Sequence, residues 1–108
     1  VWGMVGVMRG SEICEEFNFD PDSGNLLPAG SHQIPQGGID LVSPRIGDIH
    51  RVSNALTVKP SVSILVYGAN IGAVSRHVYE LPSGISSTFI SGYSSSVVPN
   101  LWDRSVVV

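Results

Sequence analysis

The sequence has one cysteine, six basic residues and three histidines in 108 positions, and each scarcity closes a class of function. The lone thiol, Cys14, can form neither an internal disulfide nor a cysteine-rich zinc centre, so the composition suits a reducing compartment. A single cysteine of this kind is expected as a small buried hydrophobe. The six bases stand against nine acids, for a net charge of -3, and no block of like charge occurs. That leaves no electrostatic footprint for nucleic acid or an anionic membrane surface. The longest apolar runs, Val5 to Met8 and Val62 to Tyr67, are broken by Gly or Ser and fall far short of a bilayer span. No basic stretch precedes an apolar one, and the chain opens on Val1 rather than Met, so a start is expected to have been removed or to lie upstream. A cytoplasmic location is the expectation from these missing signals.

What is present favours a packed, turn-rich domain. Hydrophobic residues make up 43% and charged residues 14%, with 12 Gly and 7 Pro, a balance unlike that of disordered chains. The length holds one hydrophobic core, so residues 1–108 are expected to form a single domain. Runs of Val, Ile, Phe and Tyr recur between clusters of Gly, Pro, Asn, Asp and Ser, and no window sustains an apolar repeat at helical spacing. The fold class expected is all-β.

Trp2 to Arg9, nearly all apolar or Gly, reads as a strand that is buried on both faces or threaded close to another backbone, and that is ended by Gly10. Glu12 to Phe19 alternates Ile13, Phe17 and Phe19 against Glu12, Glu16 and Asn18, which suggests a half-exposed strand with its glutamates in solvent. Asp20 to Asn25 carries the Pro, Asp and Gly of a tight turn. From Leu26 to Gly38, repeated Pro and Gly leave room only for short extended pieces on the surface. Ile39–Val42, Ile49–Ser53, Val62–Tyr67 and Ser75–Tyr79 are the next strand candidates. Beyond Leu81, extended but irregular structure is expected, including Thr88 to Ile90 and Val106 to Val108.

The most informative spacing is Gly38, five residues, Pro44, two residues, Gly47, two residues, His50, three residues, Asn54. It closely resembles the second motif of cupins, with one extra residue between Pro and Gly. Four further stretches, Val1 to Gly10, Val66 to Ala73, Ile90 to Tyr93 and Asn100 to Ser105, together with Gly47 to Asn54, resemble bacterial 3-mercaptopropionate dioxygenases, relatives of cysteine dioxygenase. The matches span nearly the whole chain. The resemblance implies a cupin-like double-stranded β-helix, a jelly-roll sandwich.

In that family one iron ligand is the histidine matched by His50, and two more come as His-x-His immediately before the Val-Trp-Gly stretch. Neighbours two apart on a strand face the same way, so such a pair delivers two imidazoles to one ion. No His-x-His occurs in this sequence. The resemblance therefore implies a cupin shortened at its N-terminal end, with His50 the surviving ligand. No cofactor is expected for this chain, and Fe(II) only if the histidine pair lies upstream. The family's active-site tyrosine is matched by Tyr67, its outer-shell serine by Ser63, and an arginine near the substrate entrance by Arg76. Its Ser-x-His-x-Tyr relay reads here Ser63-Ile64-Leu65-Val66-Tyr67. Leucine neither donates nor accepts a hydrogen bond, so the relay is cut at Leu65.

Blander roles stand beside these. His50 also fits a strand-end histidine bonded to a carbonyl or water, and Tyr67 and Trp2 fit core aromatics. His32 and His77 are expected at the surface. Glu12, Glu15 and Glu16 are expected on one solvated strand face, and Gly68 to Gly72 is a turn rather than a nucleotide loop, since it does not link a strand to a helix. The function expected is a thiol-dioxygenase-like domain without oxygenase activity, kept as a folded remnant or as a small-ligand or assembly module. The alternative is a fragment of an active Fe(II) enzyme that oxidises cysteine or 3-mercaptopropionate to the sulfinate. Expected partners are a small thiol or carboxylate and a second copy of the chain in a homodimer or larger homo-oligomer.

Overall fold

The computed structural model describes residues 1–47, 49–81 and 83–93. The fold is all-β, in the order β1 (Gly3–Arg9), β2 (Glu12–Phe19), β3 (Leu26–Ile34), β4 (Ile39–Val42), β5 (His50–Asn54), β6 (Val62–Tyr67), a 3-10 turn (Ile71–Ala73), β7 (Arg76–Tyr79) and β8 (Ser86–Phe89). The strands form a sheet ordered β4-β1-β6, a second ordered β3-β2-β5, and a β7-β8 hairpin, with every pairing antiparallel. This arrangement is compatible with a β-sandwich.

The two central strands are consecutive in sequence, and Gly10 makes the corner between them. Its φ of 83° lies in the left-handed region, and a Cβ there would sit 3.1 Å from the Ser61 backbone. The chain thus leaves one sheet and enters the other within two residues. Val7 of β1 then meets Cys14 of β2 and Ile34 of β3 in the buried apolar cluster, with Val5 packed beside it. At the other end of β2, the expected turn is present. Asp20 accepts the Asp22 N–H at 3.1 Å and the Ser23 hydroxyl at 2.6 Å through its carboxylate, and Gly24 takes a φ of 75°.

Several expectations are corrected by the register. β1 is not buried on both faces: Val7 is 1% exposed, but Met8 is 58% exposed. β2 has the opposite polarity to the one its apolar residues suggest. Glu12 and Cys14 point inward and are buried, while Phe19 is exposed and Ile13 and Phe17 are half-buried. The three glutamates accordingly do not share a solvated face. Glu12 is buried and receives the Ser61 hydroxyl at 3.2 Å, and Glu16 is exposed. Glu15, on the other side of the strand, binds the directly opposed Arg51 of β5 through two hydrogen bonds of 2.8 and 2.9 Å. That guanidinium holds the Glu15 carboxyl below the usual carboxylate range.

The segment expected as surface pieces contains the nine-residue strand β3. It tolerates Pro28 and Gly30 because it is a sheet edge and because its register shifts between the partners Glu16 and Phe17. The hairpin β7-β8 covers the Ser75–Tyr79 expectation to within one residue and places the later strand at Ser86–Phe89 rather than Thr88 to Ile90. Asp48 of the cupin-like motif, Asn100 to Ser105 and Val106 to Val108 lie outside the described residues.

With so compact an apolar centre, one truncation there is expected to matter. Ile34→Ala should lower stability by about 3 kcal/mol, whereas Val58→Ala, at a position 87% exposed, should change it by less than about 0.5 kcal/mol. Urea unfolding followed by tryptophan fluorescence measures both; equal effects would contradict the placement of the core.

Candidate functional site

Alternation along β6 turns Ser63, Leu65 and Tyr67 toward the space between the sheets, opposite Val7, Val5 and Gly3 of β1. Val5 also pairs Asp40 of β4, which puts that carboxylate on the same face. From the facing sheet, β2 brings Glu12 and Cys14, and β5 brings His50, which opposes Glu16. Together Cys14, Asp40, His50, Ser63 and Tyr67 line a cavity of about 190 Å³. The Gly47 φ of 111° and the Ser43–Gly47 bridge reverse the chain just before His50, as the motif spacing requires. Leu65 lies between Ser63 and Tyr67 on the shared face, so these three side chains cannot form a continuous hydrogen-bonded row.

His50 and Tyr67 also form a wall of a second, larger cleft of about 580 Å³, which extends to Phe17, Arg76, His77 and Phe89. A space of this size suits a small organic ligand. The Arg76 guanidinium lies 5.0 Å above the Phe89 ring and donates to the Ser91 hydroxyl at 2.9 Å. Its Nε is buried and has no hydrogen-bond partner among the described residues. A buried N–H without an acceptor is costly. Thus His50, Tyr67 and Arg76 border one cleft, and Ser63 faces the smaller cavity behind its wall. His77 is exposed on the neighbouring strand position, with its ring 6.3 Å from that of Tyr79.

A second group was not legible as a site in the sequence. Cys14 and His32 are direct cross-strand partners on β2 and β3, and Asp40 reaches them from the other sheet. His32 Nε2 lies 2.9 Å from Asp40 Oδ2. The donor atoms of all three side chains fall within 4.8 Å of one another. His32 is therefore a strand residue bonded across the sandwich rather than a loop histidine. The Cys14 thiol is pushed from its ordinary 9.0 up to about 11, by burial first, then by the charge of Asp40 and its hydrogen bond, and then by Glu16 and Glu15. Pairing Cys14 with His32 depends on the β3 register, which single-residue patterns do not reveal.

An iron centre of the kind the resemblance implies needs further nitrogen or oxygen donors around His50. Among the described residues, His50 is not part of the one group of three metal-ligating side chains that lie within reach of one another. Those residues do not fit such a centre. No family model matches the chain.

The protonated, 1%-exposed Cys14 thiol gives a direct check on this geometry. In metal-free buffer at pH 8 the folded protein should be labelled by iodoacetamide at least about tenfold more slowly than the urea-unfolded chain, because only the accessible thiolate reacts. Equal rates by mass spectrometry would place Cys14 at the surface.

Proposed function

We propose that this chain is a cupin-like domain of the thiol dioxygenase type whose cleft binds a small thiol or carboxylate without oxidising it. The observation that carries the reading is that His50, Tyr67 and Arg76, far apart in sequence, border the same cleft. Antiparallel strands in two facing sheets agree with a jelly-roll ancestry. Arg76 anchors the carboxylate of the ligand through the charge of its guanidinium, while Phe17 and Phe89 contribute apolar walls. Tyr67 and His50 meet the far end of the ligand as hydrogen-bonding groups. The donor set around His50 does not support an iron-dependent step, and Leu65 removes the relay that would pass a proton between Ser63 and Tyr67.

Calorimetric titration with 3-mercaptopropionate and with cysteine tests it. Binding is expected, and Arg76→Ala should weaken it at least about tenfold through loss of a charged hydrogen bond. Oxygen uptake with either thiol and added Fe(II) should equal the no-protein control. No heat of binding, or thiol-dependent uptake above control, would overturn the proposal.

We also propose that the outer face of the β4-β1-β6 sheet is covered by a second copy of the chain. Ile39, Leu41, Ile64 and Val66 stand on this face at 68%, 53%, 54% and 48% exposure. They flank Gly6, where a Cβ would meet nothing within 4 Å. With Val62 and Met4 beside them, the apolar area is on the order of 500 Å², near the top of what soluble monomers expose. Two such faces bring a homodimer to about 1,000 Å² of buried surface, the lower range of a specific interface. Sedimentation at tens of micromolar protein should show a dimer that Leu41→Glu combined with Ile64→Lys converts to a folded monomer; a monomeric parent protein would count against the dimer.

A further inference from the structure

We propose that Cys14, His32 and Asp40 form a binding site for a divalent transition metal of the zinc class. The donors are a thiolate sulfur, an imidazole nitrogen and a carboxylate oxygen, the three ligand types that zinc takes from proteins. A tetrahedral ion with sulfur at about 2.3 Å and nitrogen or oxygen at about 2.0 Å sets its donors roughly 3.3 to 3.6 Å apart. The observed donors already lie within 4.8 Å of one another, so closure on an ion needs only small rotations. Each donor sits on a different strand, β2, β3 and β4, so the backbone fixes all three. Three protein ligands leave a fourth position open to water or an exogenous donor.

A second observation points the same way. Glu12, two residues before Cys14 on the same strand face, is 6% exposed, lines the cavity with Cys14 and Asp40, and has a buried Oε2 with no hydrogen-bond partner among the described residues. Metal binding by a thiol is coupled to release of its proton. On binding, the Cys14 S–H bond is broken and its proton leaves to solvent, while His32 coordinates through Nε2 as a neutral imidazole and gives up its bond to Asp40. No oxidation state changes. The ion reaches the site from the His32 side, where the imidazole is 42% and the Asp40 side chain 21% exposed. Because Asp40 belongs to one sheet and Cys14 and His32 to the other, the bound ion ties the two sheets together.

Cobalt(II) is the probe, since its thiolate complexes absorb in the near ultraviolet and its tetrahedral complexes in the visible. Titration of the chelator-treated full chain should give one Co(II) per chain with a sulfur-to-cobalt charge-transfer band. Cys14→Ser should abolish that band. His32→Ala and Asp40→Asn, which alter the more exposed side of the site, should weaken binding at least about tenfold. Val58→Ala, at a position 87% exposed, should leave the titration unchanged. Zinc should raise the melting temperature of the parent protein and not that of His32→Ala. A spectrum without the charge-transfer band, or a band that survives Cys14→Ser, would overturn the assignment.

Discussion

The structure depends on which alternate residues of β1, β2, β4 and β6 face the space between the sheets. Strand side chains alternate strictly, so one choice of register fixes every neighbour. Here Val7 and Ile34 close around Cys14, and this small apolar contact sets the rest. With Cys14 inward, Glu12 is also inward. With Val5 inward, its partners Asp40 and Leu65 follow, and Ser63 and Tyr67 follow Leu65. A polar interior space is thus a geometric consequence of one apolar contact at the corner made by Gly10.

The same choice has a cost on the other side of the sheet. Turning Asp40, Ser63 and Tyr67 inward sends Ile39, Leu41, Ile64 and Val66 outward. An ordinary half-buried sheet does the reverse and places its β-branched residues in the core. Polar groups held between two sheets without full pairing, such as Glu12 Oε2, lower stability, and functional sites are where such features are retained. The inward polar cavity and the outward apolar face are therefore two results of a single register.

This register explains what the sequence made legible and what it did not. Strand positions were readable: Val62–Tyr67 and Ile39–Val42 match residue for residue, since β-branched runs between turn residues are local signals. The turn at Gly47 before His50 was readable from its spacing for the same reason. Facing was not. In β2, Ile13, Phe17 and Phe19 suggested the buried side, but burial follows the contact of Cys14 with Val7, which is made across a different sheet. β3 was missed because Pro28 and Gly30 disfavour an interior strand, and nothing local marks it as an edge with a shifted register. The partnership of Cys14, His32 and Asp40 needs both that register and the facing of β4, so no window of sequence contains it.

Leu65 shows how far the resemblance and the geometry diverge. It stands on the face where Ser63 and Tyr67 are hydrogen-bonding groups, and it is opposed by Val5 rather than by a polar side chain. An apolar residue at this point interrupts the row of hydrogen-bonding side chains. Ser63 and Tyr67 still line one cavity, and Tyr67 also borders the Arg76 cleft with His50. The residues on either side of Leu65 still line their cavities. Under the functions proposed above, the cleft and the ion site among Cys14, His32 and Asp40 need no proton to pass between them.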